Sequence, residues 1–231
     1  MSNQWSVSLN LSSAPEGTVT INVDHQTAQA MAAPRFTRNF TKDTVLPAVT
    51  ITSPAAGTWA NAAGASSVNY QTFQVGGTCS DDTQRVTVTA GSTVSTVACA
   101  SGVFLIGVNL TTVPDGNFTL TADLSDAAGN AAPQASRNFA KDIVPPSLTV
   151  TAPNGAESWQ TGVAQTIQFT ATDARSGLVL PLTFELSSNS GGTYSALTVV
   201  SPTASSAGWT PGAPNIGTAL RVRISGTDVA G

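Results

Sequence analysis

The chain repeats itself at a distance of 99 residues. Shifted by that amount, Trp5–Thr50 lies over Phe104–Thr149 without a gap, and 18 of the 46 aligned positions are identical. Asn10-Leu11 falls on Asn109-Leu110, and Pro15-Glu16-Gly17 on Pro114-Asp115-Gly116. Arg38-Asn39-Phe40-Thr41-Lys42-Asp43 falls on Arg137-Asn138-Phe139-Ala140-Lys141-Asp142, and Pro47 on Pro146. Solenoid repeats run to about 20–50 residues, so a period this long points instead to an array of whole small domains. At the far end, Leu220–Gly231 aligns with Phe118–Gly129 at an offset of 102. The phase predicts residues 1–43 as the last strands of one unit, 44–143 as a complete unit, and 144–231 as a unit short of its final strand. A piece of a longer chain is the expectation.

Within the complete unit, apolar and polar residues alternate, as in strands with one buried face. Phe118, Leu120, Ala122 and Leu124 share one face, while Thr119, Thr121 and Asp123 share the other. Val49/Ile51, Phe73/Val75, Val86/Val88 and Phe104/Ile106/Val108/Leu110 follow the same rhythm. Turn signals lie between them at Gly76-Gly77, Ala90-Gly91, Pro114-Asp115-Gly116 and Asp126-Ala127-Ala128-Gly129-Asn130. About seven short strands per unit predict an all-β fold of tandem antiparallel β-sandwiches of immunoglobulin type. In the first copy, Thr27, Ala28, Gln29, Ala30 and Met31 replace the Asp126 to Asn130 turn, so a different loop conformation is expected there.

Composition removes several classes of function. Thr (33), Ser (25) and Gly (20) make up a third of the chain, charged residues only 10%, and hydrophobic residues 41%. A disordered segment would be more charged and less apolar. No run of 18 apolar residues is present, so no spanning segment is expected. With a net charge of −4 and only two lysines, the chain has no basic patch for nucleic acid or an anionic membrane.

The joints Lys42-Asp43-Thr44-Val45-Leu46-Pro47 and Lys141-Asp142-Ile143-Val144-Pro145-Pro146 are short and proline-stiffened, which predicts an elongated, semi-rigid rod. This joint, leading into Val49-Thr50-Ile51 or Leu148-Thr149-Val150, together with the Asp126–Asn130 turn, resembles the tandem bacterial immunoglobulin-like repeats of large secreted and surface-anchored proteins, adhesins included. The last unit resembles a second subgroup through Pro153-Asn154-Gly155-Ala156-Glu157-Ser158-Trp159, with Ala156 where that opening has a second glycine. The resemblance covers essentially the whole chain. It implies an extracellular, cell-surface location and a stalk or spacer role. The implied partners are neighbouring domains of the same protein and a host or prey cell-surface protein or glycan. Alternatives are a glycan- or protein-binding module and an accessory domain of a secreted hydrolase.

Two sites are open. Cys79 and Cys99 are the only cysteines; they form either a disulfide closing about 20 residues or two buried thiols, and the export implied by the resemblance favours the disulfide. Related repeats hold calcium at domain junctions, and Asp142 and Asp126 are the candidates here, although Asp126 in such a turn more often caps it. No metal ligand set, catalytic residue or cofactor is assigned. His25 aligns with the inward-facing Leu124 and reads as a partly buried edge residue, and the Asp81-Asp82 pair is splayed at a turn, so no enzyme is expected. Lys42 and Lys141 sit in the joints, away from any core isopeptide. The sequons at Asn10, Asn39, Asn109 and Asn117 are the chance product of a Thr-rich strand protein. Trp5 and Trp159 are expected in the core, whereas Trp59 and Trp209 are less constrained. The unfinished last unit would be completed either by residues 32–42 of another copy, head to tail, or by sequence beyond this chain.

Overall fold

The computed structural model describes residues 4–26, 28, 30–61, 68–155, 157–213 and 219–231. Thr27, Gln29 and Ala156, singled out above, lie outside the described residues. The rest is strand and loop, with one helical turn at Tyr70–Thr72.

Strands β1 (Gly17–Val23) and β2 (Phe36–Lys42) form an antiparallel hairpin. Two sheets follow. One has the order β3 (Val49–Ser53), β6 (Phe73–Cys79), β9 (Val103–Val108). The other takes β5 (Val68–Asn69), β4 (Trp59–Asn61), β11 (Ala135–Lys141), β10 (Gly116–Asp123), β7 (Arg85–Ala90) and β8 (Thr93–Ala98), in that order. The apolar sets read from the alternation face each other between the sheets. Phe73, Val75, Val86, Val88, Val108, Leu110, Leu120 and Ala122 are fully buried, and Phe73, Phe118 and Phe139 pack ring to ring. Each such side chain contributes about 1.5–3 kcal/mol on burial. This is an immunoglobulin-like sandwich, antiparallel except at one edge, where β4 runs parallel to β11. The chain changes sheets there, after Pro54, which has no N–H with which to extend the β3 ladder.

A second pair of sheets, β12 (Ser147–Ala152) with β13 (Gln165–Thr172) and β16 (Ser206–Trp209), and β14 (Thr183–Ser187) with β15 (Ser195–Ala196) and β17 (Arg221–Ser225), encloses a separate core. That core holds Ile167, Phe169, Phe184, Leu186, Ala207 and Trp209.

Three expectations are corrected. Gly76-Gly77 is no turn but the middle of β6, opposite a register shift between Ile51 and Ser53. A Cβ on Gly77 would collide with the Thr50 carbonyl and the Phe104 ring, so glycine here permits close approach of two strands. Among its described residues the first loop keeps the frame of its counterpart: Gln26 bridges Ala32 as Ser125 bridges Ala131, and Ala30 (φ 60°) takes the left-handed position of Gly129 (φ 94°). The closing strands impose the turn even without glycine, at a cost of roughly 1–2 kcal/mol for the alanine. Finally, the lysines are not linker residues in the ordinary sense. Lys141 is buried, its Nζ donating to the Val113 carbonyl (2.8 Å) and pairing with Asp115 (3.3 Å). Lys42 repeats the arrangement on Ala14 O (2.8 Å) and Glu16 (2.7 Å) in a more exposed setting.

Candidate functional site

The joint between the second and third units carries the densest chemistry. Lys141 ends β11 inside the core, and the Asp142 amide donates to Ala60 O (3.1 Å), so Asp142 cannot swing out as a linker residue would. Its side chain is 1% exposed. Oδ1 accepts from Val144 N (3.1 Å), and Oδ2 accepts from Ser176 N (3.0 Å), in the loop after β13. That loop is wound around Asp173, whose Oδ1 accepts from Arg175 N (3.0 Å) and Gly177 N (2.7 Å), with Gly177 at φ 84°. Val179 N donates to Thr227 O and Val229 N to Gly177 O, lacing the loop to the segment after β17. This lacing presents the buried Asp228.

Asp142, Asp173 and Asp228 thus come from three separate segments, and one carboxylate oxygen from each lies within 4.8 Å of the others. Burial works against ionisation of Asp173, but the amides of Gly177, Arg175 and Ser176 outweigh it and hold its pKa below the ordinary value. Two carboxylates 4.8 Å apart repel by about 3 kcal/mol at an effective dielectric of about 20. Among the described residues no Lys or Arg forms an ion pair with any of the three. The Ser176 hydroxyl is shielded from solvent beside Asp173 and helps to hold its carboxyl ionised. Hard oxygen donors and like charges without a counter-ion among the described residues fit a divalent cation of the calcium type, which takes six to eight oxygens.

Of the two aspartates expected at a junction, only Asp142 joins this cluster. Asp126 caps its own turn, accepting from Asn130 N and Nδ2 (both 2.8 Å), and Asn130 Nδ2 also reaches Asp43 O (3.2 Å). The Asn130 amide holds the Asp126 pKa below its usual value. The structural counterpart of Asp126 in the last unit is Asp228, as the 102-residue offset places it.

The other singled-out residues fall as follows. Cys79 and Cys99 are joined in a disulfide, with Cα atoms 6.0 Å apart. His25 is exposed, contrary to the partly buried position expected of it, and so is Trp5, at 68%. In both cases the alignment assigned an inward face, but the β1–β2 hairpin has no second sheet against it among the described residues. Asp82 accepts from Gly102 N (2.9 Å) and Asp81 from Ser80 Oγ (2.8 Å), so the pair is spent on two different turns. Trp209 is buried and lies against Trp159, ring centroids 5.8 Å apart. Trp59 is half-buried on an outer face.

No family model matches the chain, and no curated protein matches it. Several solved structures are similar. Fibronectin(III)-like modules of Clostridium thermocellum CbhA align over 79% of this chain and 86% of theirs, at 15% identity and a TM-score of 0.37. A tetra-tandem repeat from the extending region of a large adhesion protein aligns over 96% and 51%, at 20% identity and a TM-score of 0.38. The D00-D0 domain of intimin aligns over 78% and 86%, at 11% identity and a TM-score of 0.30. The fold assignment rests on the strand order given above. No helix among the described residues is long and apolar enough to cross a membrane.

Proposed function

We propose that the chain is a non-catalytic spacer in the stalk of an extracellular, adhesin-like protein of the bacterial immunoglobulin-like repeat type. Residues 44–143 form one domain of the series, and the joints hold successive domains in fixed relation. The observation that carries this reading is the burial of Asp142. A residue one step past the last strand of one unit is locked by hydrogen bonds into that unit and the next. The disulfide is of the kind that persists in oxidising compartments and supports the external location.

In this reading a divalent cation, calcium by its ligand chemistry, is held by Asp142, Asp173 and Asp228, neutralises their mutual repulsion and fixes the joint. Thermal unfolding in calcium and in chelator tests it. Calcium at about 100 times its dissociation constant adds roughly 2.7 kcal/mol, so the unfolding temperature of the wild-type chain rises. In D142N the rise is lost; in chelator the variant loses one repelling charge but also one of the two backbone hydrogen bonds that the Asp142 oxygens accept, so the missing calcium response and not the stability of the chelated form is the readout. An unfolding temperature of the wild type that is identical with and without calcium rejects the cation.

A further inference from the structure

Trp59 lies outside both hydrophobic cores. It aligns with Ala140 across the parallel β4–β11 pair, so it shares the outer face of the sheet with Ala140 while the adjacent Ala60 and Lys141 are buried on the inner one. Trp159 packs against its domain core, whereas Trp59 takes no part in the core beside it. It instead forms one wall of a shallow cleft, open to solvent, on the face of the sheet. Asn117, Thr119 and Asn138 line the same cleft from β10 and β11. Thr119 Oγ1 donates to Asn138 Oδ1 (2.8 Å), which fixes that side chain and leaves its amide nitrogen to donate outward. At the mouth, Gly57 leaves room: a Cβ there would meet nothing within 4 Å.

The chemistry of this lining is selective. No described residue lining the cleft is ionisable, so charge gives no reason for an anionic or cationic ligand to prefer it. An indole face is electron-rich and attracts weakly positive C–H groups, and amides and a hydroxyl at its side offer both donors and acceptors. A pyranose ring has that complement: a face of axial C–H bonds rimmed by hydroxyls. We propose that the Trp59 cleft binds a neutral hexopyranosyl oligosaccharide, with one ring stacked on the indole and its hydroxyls bonded to Asn138 and Asn117. The first repeat contains the same polar pair, Thr20 Oγ1 to Asn39 Oδ1 at 2.9 Å, without a described tryptophan beside it, and so supplies an internal control.

The full chain is titrated separately with cellohexaose, laminarihexaose and maltohexaose, followed by the backbone amide and tryptophan indole signals in nitrogen-15 correlation spectra. At least one hexaose gives a saturable shift at the Trp59 indole. Trp59→Ala weakens that binding by roughly tenfold or more. Asn138→Ala weakens it by a smaller factor, and Asn39→Ala leaves it unchanged. Preserved spectral dispersion shows that each variant folds. If Trp59→Ala does not, Thr119→Val, which frees the Asn138 side chain while keeping the indole, must weaken binding instead. The proposal is overturned if none of the three sugars moves the Trp59 indole signal at about 10 mM, a concentration that would reveal even millimolar affinity. It is equally overturned if a folded Trp59→Ala variant binds as the wild type does.

Discussion

Replacing Lys141 by methionine separates the electrostatic part of the repeated lysine device from its packing. Methionine fills nearly the same volume but donates nothing, so the Val113 carbonyl loses its 2.8 Å donor and Asp115 loses its counter-ion. The Asp115 side chain is only 15% exposed, and its Oδ1 has no other directed partner among the described groups. The contact of Nζ with the Tyr70 ring, 5.0 Å from the centroid, disappears as well. Breaking one half of a buried pair costs about 3–5 kcal/mol; the partial exposure of Asp115 puts this case at the lower end, about 3 kcal/mol. For a domain of about 100 residues that is a fall of roughly 12–24 °C in unfolding temperature. The assay is urea unfolding at equilibrium, followed by circular dichroism, for wild type, Lys141→Met, Lys42→Met and Lys141→Met combined with Asp115→Asn. Lys42→Met costs less, because Glu16 is 40% exposed and water takes the place of the lysine. Adding Asp115→Asn restores part of the loss by removing the stranded charge. The reasoning fails if Lys141→Met is no worse than Lys42→Met, or if the second substitution restores nothing.

Other consequences follow from the same geometry. Reducing the Cys79–Cys99 disulfide, which spans 20 residues, lowers stability by about 3 kcal/mol, read from unfolding with and without reductant. Trp209→Ala removes a buried ring packed at a tilt against Trp159 and costs about 3–5 kcal/mol, with a smaller indole fluorescence change on unfolding of the last unit, to which Trp159 alone then contributes. Lys42 and Thr44, through its hydroxyl and amide, lower the Glu16 pKa from 4.5 to about 2. Because the folded value is the depressed one, the stabilisation is complete above pH 4.5 and is lost as pH falls from there through about 2. The Thr44 amide, which donates to Glu16 Oε2 (2.8 Å), reports this directly: its signal titrates with a midpoint near 2 rather than near 4.5.

Strand positions and inward faces in the complete unit were legible because alternation is a local signal, and the repeat supplied two readings of the same hairpin. Gly76-Gly77 was misread for the same reason: two adjacent glycines signal a turn locally, and only the approach of Thr50 and Phe104 from other strands explains them in β6. The left-handed Ala30 shows the converse, with a long-range strand pairing overriding a local preference. At the joint, Asp142 was legible from its motif. Asp173 and Asp228 were not, because nothing along the chain announces that three segments so distant in sequence converge. The one available signal was the 102-residue offset, which lays Asp228 on Asp126. His25 and Trp5 were placed by alignment on inward faces that require an opposing sheet.

A fixed relation between consecutive domains is the central claim, and residual dipolar couplings measure it without altering a residue. Amide couplings from the cores around Leu120 and around Ile167 are fitted separately, in weakly aligned, calcium-containing solution. The account predicts one alignment tensor, equal in magnitude and axes, for both. Tensors of clearly different magnitude would show the two domains reorienting independently, and the joint would then be a tether.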